Sequence, residues 1–306
     1  MELVMKRYIV SFVLLLVCGT CLHSQLLWKI SGNGLSKPSY ILGASTYAPM
    51  ESIDSIAGLR AAYDAVEQVC GVVAVTDSLE VEKLNLDLPE GTTLMSLFKE
   101  KEQLLLRSFI KKLYYVDIKD SSYCQISPLE ALISFEVIDV FMSAEDMYDF
   151  IPLSEHTTFS DSIQKLALER GLPVKGLVNK ATNTDFVKQC LYIDMPMKKQ
   201  KKVLLDYVLH FSKVYDAMIQ DIEAYQTQNL DSIKKHMYVS TALRKDYQKT
   251  IGRELKVWAD RMPDIMQEHS TLFILPVYAF LQKKEKEDIR QRLRDKGYIV
   301  ENVKAL

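Results

Sequence analysis

Catalysis needs nucleophiles, proton carriers or metal donors that meet at one point, and this chain offers few of them at an informative spacing. Past residue 24 its histidines are His156, His210, His236 and His269. No two of them sit three or four residues apart, the spacing that places two imidazoles on one helix face. His210 and His236 fall within helical patterns, where surface or capping roles suit them. Glu51, Asp54, Asp64 and Glu67 cluster around one loop. Their spacing matches no oxygen-ligand loop for a hard cation, and a solvated helix face accounts for it. Ser45 lacks the Gly-x-Ser-x-Gly elbow that exposes a nucleophilic serine. Cys70, Cys124 and Cys190 show no zinc-site spacing. An odd number leaves at least one free thiol or a bond to another chain. Cys70 lies in an apolar run and reads as buried and inert.

The bulk properties narrow the class. The chain has 306 residues, 48% hydrophobic and 25% charged, with a formal net charge of −2. This is ordinary globular composition, without the basic field that nucleic-acid binding requires. A chain of this length buries about three quarters of its unfolded surface, so it needs no disulfide or metal staple. At the N-terminus, Lys6 and Arg7 precede an apolar run from Tyr8 to Gly19. That run is shorter than the roughly 20 residues that span a bilayer, and it has the form of a signal peptide. Residues 1–24 are therefore read as a signal peptide cleaved after Ser24, and 25–306 as a single domain. Cys18 and Cys21 raise a lipoprotein reading. Val17 and Thr20 stand where a lipidation signal places a small residue, which disfavours it. The expected location is periplasmic or otherwise associated with the cell envelope. No later stretch is apolar for long enough to cross a membrane.

The elements that must position any site follow from periodicity. Leu26, Trp28 and Ile30 alternate with Leu27 and Lys29, and Ser31-Gly32-Asn33-Gly34 supplies turn residues before Tyr40–Leu42. This predicts a hairpin. Ile56, Leu59, Ala62, Tyr63 and Val66 predict a helix, and Val69–Val75 a buried strand. Residues from about 80 to 150 read as mainly helical, with Ser127-Pro128-Leu129-Glu130 as a helix start. A helix from Phe159 to Arg170 stops at Gly171 and leads into a strand, Val174–Val178. One long helix over 199–228 is predicted from the stripe Leu204, Val208, Phe211, Tyr215, Met218, Ile222 and Tyr225. That stripe serves core packing or helix pairing; a partner-binding helix is the alternative. A further helix covers roughly 240–268. The chain then closes as strand Leu272–Val277, helix Lys283–Lys296 with Gly297 as its stop, and strand Tyr298–Val303. The expected fold is α/β or α+β: a mixed central sheet covered by helices, with a large helical insertion. Strands so far apart in sequence leave the strand order open.

Leu27-Trp28-Lys29-Ile30-Ser31-Gly32-Asn33-Gly34, followed by Lys37-Pro38-Ser39-Tyr40-Ile41-Leu42-Gly43, resembles the start of bacterial TraB/GumN (Tiki-related) proteins. The resemblance continues through Asp54–Leu59 and Gln68–Gly71. It resumes at Leu177, Trp258–Met266 and Arg294–Val300, and so covers nearly the whole chain after residue 24. It implies a metallohydrolase or protease using a divalent metal such as Mn, Co or Zn.

The residues that would hold such a metal depart from the family pattern. Where the family carries glycine-x-x-histidine after its first strand, this chain has Gly43-Ala44-Ser45-Thr46. Acids usually follow the glycine of the next strand; here Val72, Val73 and Ala74 follow Gly71. A glutamate usually follows the strand ending in Gly-Leu; here Val178 and Asn179 follow Gly176-Leu177. The region of the family's arginine–asparagine pair holds Glu254-Leu255 or Lys256-Val257. The second glycine-x-x-histidine aligns with Val277-Tyr278-Ala279-Phe280, and no histidine lies between 270 and 306. Valine and phenylalanine cannot coordinate a metal, and threonine is at best a weak neutral ligand. The resulting expectation is a pseudoenzyme: an exported, non-catalytic relative with no cofactor and no catalytic or metal-binding residue. It would bind a peptide, protein or small molecule in an aromatic cleft formed by Gly43, Ser45, Thr46, Tyr47, Val72, Val178, Tyr278 and Phe280. The alternative is a divergent metal-dependent hydrolase or protease using other residues.

Overall fold

The computed structural model describes residues 23–45, 48, 50–77, 87–114, 125–136, 158–178, 194–237, 243–282 and 288–304. The signal-peptide reading falls outside this set except for His23 and Ser24, which open the first strand. Thr46, Tyr47, His156, Cys124 and Cys190 also lie outside it.

Among the described residues six strands form one mixed sheet: β1 (His23–Ser31), β2 (Ser39–Ala44), β3 (Gln68–Gly71), β4 (Val174–Gly176), β5 (Thr271–Pro276) and β6 (Ile299–Lys304). Their spatial order is β4-β3-β5-β2-β1-β6. β2, β5, β3 and β4 run parallel, while β1 is antiparallel to both β2 and β6. The parallel strands β2, β3 and β5 read as continuous apolar runs because both faces are covered. Leu42, Val69, Leu272, Phe273 and Leu275 are fully buried. The β1–β2 hairpin turns through Gly32, Asn33 and Gly34, all at positive φ, and Asn33 Nδ2 donates to the Lys296 carbonyl at 3.1 Å.

The helices are α1 (Ser52–Ser55), α2 (Leu59–Ala65), α3 (Glu100–Tyr114), α4 (Phe159–Glu169), α5 (Met197–Leu209), α6 (Phe211–Gln226), α7 (Leu230–His236), α8 (Arg244–Glu268) and α9 (Ile289–Asp295). Residues 128–136 are also helical, and Ser127 Oγ accepts from the Glu130 amide at 3.1 Å. That bond satisfies one orphan donor of the first turn. Thr158 caps α4 in the same way, accepting from the Asp161 amide, and Gly171 ends that helix at φ +71°.

Two apolar clusters divide the interior. The larger wraps the sheet and includes Tyr63, Phe159, Trp258, Phe273 and Phe280. The smaller lies among α3, residues 128–136, α5 and the start of α6, with Phe98, Phe109, Phe135, Leu204 and Tyr207. This second cluster is the core of the helical insertion. Phe109 stands edge-on to Tyr207 and Phe211.

Two expectations need correction. The helix over 199–228 is two helices. His210 leaves helical geometry at φ −113°, ψ 16°, and its amide bonds back to the Asp206 and Tyr207 carbonyls. The stripe is divided accordingly: Leu204 and Val208 fill the insertion core, while Tyr225 reaches the sheet core. The strand predicted over Val69–Val75 ends at Gly71, and the chain bends at Val72 and Val73. The bend turns the Val75 amide toward the Gln164 side chain, whose Oε1 accepts from it at 2.9 Å.

Candidate functional site

Four parallel strands end side by side, which makes their carboxyl ends the natural ligand face of an open α/β sheet. Gly71 pairs with Gly176 on one side and Ile274 on the other, and Gly43 pairs with Leu275. The segments that follow these strands therefore leave the sheet along one edge: Ala44-Ser45, Val72-Val73, Leu177-Val178 and Val277–Phe280. Backbone bonds from Leu177 N to Gly71 O and from Val178 N to Val72 O hold the second and third together, at 3.0 and 2.8 Å.

Over β2 and β5 this edge is filled. Val277–Phe280 forms a 3-10 turn, and the Phe280 ring lies against Gly43. A Cβ built on Gly43 would stand 3.0 and 3.1 Å from Phe280 Cε2 and Cδ2. Phe280 is 3% exposed. Tyr225 reaches in from α6 and donates its hydroxyl to the Gly43 carbonyl at 2.9 Å. Ser45 is buried beside them. Arg290 of α9 stacks on Trp28 at 4.5 Å and on Phe280 at 5.4 Å, each to the ring centroid. It also donates to the Phe280 carbonyl and pairs with Asp288 at 2.6 Å. Tyr278 is half-buried between Trp258 and Tyr247, with its hydroxyl 3.4 Å from the buried Glu254 carboxylate.

Over β3 the filling group is Gln164 of α4, which is 1% exposed. A Cβ on Gly71 would approach Gln164 Nε2 to 2.4 Å, so a side chain there would displace it. Cys70 is fully buried below, and burial pushes its thiol up to about 12.

Beyond β3, above β4, the edge stays open. A cavity of about 490 Å3 is lined by Val178, Lys175, Asp77, Arg261 and Asp264, with Val174 and Ile265 among its apolar walls. Arg261 donates Nη1 to the Leu177 carbonyl, which ties α8 to the end of β4. Val178 is thus the one member of the expected cleft that lines this cavity. Gly43, Ser45 and Phe280 are packed inward, Val72 is half-buried, and Thr46 and Tyr47 lie outside the described residues.

The family resemblance implies a divalent metal, and the donors at these strand ends do not fit one. Among the described residues no three of His, Cys, Asp and Glu come together to hold an ion. The acidic cluster is dispersed over separate cations: Asp54 on Arg60 at 2.7 Å, Asp64 on Arg170 at 3.3 Å, and Glu67 on Lys37 at 2.5 Å. The Arg60 bond holds the Asp54 carboxyl below its ordinary range. His210 faces Asp206 within its own turn, and His236 ends α7.

Sequence reading placed Tyr225 on a packing stripe without its bond to Gly43 and missed Gln164, Arg261 and Arg290. Of these three only Arg261 carried a signal, a basic residue three positions after Trp258 on the same helix. The fold is that of an α/β protein whose parallel strands end along one edge of a mixed sheet. The TraB/PrgY/gumN family model matches residues 26–302, and the chain belongs to that family. No curated protein and no solved structure matches it. Among the described residues no helix is long and apolar enough to cross a membrane.

Proposed function

We propose that this chain is an exported, non-catalytic member of the TraB/PrgY/gumN family. It binds a small molecule, peptide or protein at the carboxyl ends of its parallel strands. One observation carries the reading: Phe280, from the segment matching the family's second histidine motif, closes on Gly43 of the segment matching the first. The place of the second motif's imidazole is thus packed by an apolar ring against the glycine of the first. An activated water needs nitrogen or oxygen donors around a cation with one position open; Val72, Val178 and Phe280 supply none, and a hydroxyl such as that of Ser45 is a weak neutral ligand. The cavity beside β4 supports binding. Its volume of about 490 Å3 falls within the roughly 300–1,000 Å3 typical of ligand pockets.

The test is metal analysis of the purified chain from residue 25 onward, run beside an assay against a panel of peptides. The variant Thr46→His/Phe280→His serves as comparison. Substoichiometric metal and no turnover in the unaltered chain are expected. A tightly held Mn, Co or Zn ion at one per chain, or cleavage of any peptide, would overturn the proposal and favour a divergent hydrolase.

A further inference from the structure

We infer that the cavity beside β4 takes a small zwitterion: a free α-amino acid with an aliphatic side chain. This rests on the binding reading above and names the ligand class for that surface. The argument comes from the charges in the wall. Lys175 is already ion-paired with Glu268. Arg261 gives one Nη1 hydrogen to the Leu177 carbonyl, and among the described residues its guanidinium forms no ion pair. The same holds for Asp77 and Asp264, both in the wall. The cavity therefore presents one cationic fork and two carboxylates with no ionic partner among the described residues.

A simple anion would satisfy Arg261 but face both carboxylates. A simple cation would satisfy the carboxylates and leave the fork unmet. A molecule carrying both charges meets both. Arg261 and Asp264 are three residues apart on α8, so their Cβ atoms are about 5–6 Å apart on one helix face. An α-amino acid carries its carboxylate and ammonium on one carbon, so both can face this wall, with Arg261 gripping the carboxylate through its planar fork. Asp264 and Asp77 hold the ammonium. Val174, Val178 and Ile265 supply the wall for the side chain, which favours aliphatic over charged side chains.

L-Leucine, N-acetyl-leucine and leucinamide are the probes, titrated by calorimetry into the folded chain from residue 25 onward. Leucine binds; each blocked form, lacking one charge, binds about tenfold or more weakly. Asp264→Asn, at an exposed helix position, folds normally and loses the preference for leucine over N-acetyl-leucine. Arg261→Lys keeps the charge but not the fork, and weakens leucine more than leucinamide. N-acetyl-leucine or leucinamide binding as tightly as leucine overturns the inference. So does unchanged selectivity in Asp264→Asn. Failure of leucine to bind a chain that binds other ligands also overturns it, and leaves the binding reading standing. Metal content and peptide cleavage report on that reading independently.

Discussion

Phe280→Ala tests the packing over the ends of β2 and β5 most directly. The ring is 3% exposed and in van der Waals contact with the backbone at Gly43. Truncating a buried phenylalanine removes its transfer free energy and leaves a cavity, together about 3–5 kcal/mol. Loss of the Arg290 stack adds little, because Arg290 keeps Trp28 at 4.5 Å. The companion change, Gly43→Ala, puts a Cβ 3.0 Å from the ring and costs about 1–3 kcal/mol by overpacking. With the ring gone, that methyl enters vacated space and its cost falls, so the two changes couple by about 1 kcal/mol or more. Urea unfolding followed by tryptophan fluorescence measures all four corners of the cycle. Both tryptophans border the region: Trp28 lies under Arg290 and Trp258 beside Tyr278. A cost below about 1 kcal/mol for Phe280→Ala, or an equal cost of Gly43→Ala in both backgrounds, would refute the reasoning.

Three further outcomes are expected. Asp221 has a buried Oδ1 without a hydrogen-bond partner, and burial raises its carboxyl from 3.8 to about 6. The native state therefore holds this proton more tightly than the unfolded chain. Asp221→Asn stabilises the protein above pH 6 by up to about 3 kcal/mol. The advantage shrinks as pH falls from 6 and is gone below 3.8; parallel melts of both proteins across that window check the sign. Gln164→Ala leaves the Val75 amide without the acceptor it has at 2.9 Å and costs about 1–3 kcal/mol in urea unfolding. Cys70, with its thiol near 12, stays unmodified by iodoacetamide at pH 8 in the folded protein and reacts once guanidinium unfolds it; peptide mapping by mass spectrometry gives the extent.

The sequence was most legible where structure is local. Ser127 caps the helix its type announces, and Gly171 and Gly297 end helices at positive φ. Alternation marked β1, and continuous apolar runs marked the parallel strands. Periodicity failed at His210, because a stripe can run across a break when the two helices on either side feed different cores. It failed again at Val72–Val75, where apolar residues suit a strand. The Gln164 side chain on a distant helix offers the Val75 amide another partner.

Family membership and the lack of any histidine between 270 and 306 are properties of residue identity, so the chain alone determines them. What occupies those places is a property of register. β2 and β5 pair across more than half the chain, as the 232-residue separation between Ser39 and Thr271 shows. No local pattern encodes that Phe280 meets Gly43, that Gln164 covers Gly71, or that Arg261 and Asp77 face one cavity. Those contacts exist only once strands distant in sequence align, because the free energy that selects them comes from packing between segments and not from the preferences within any one of them.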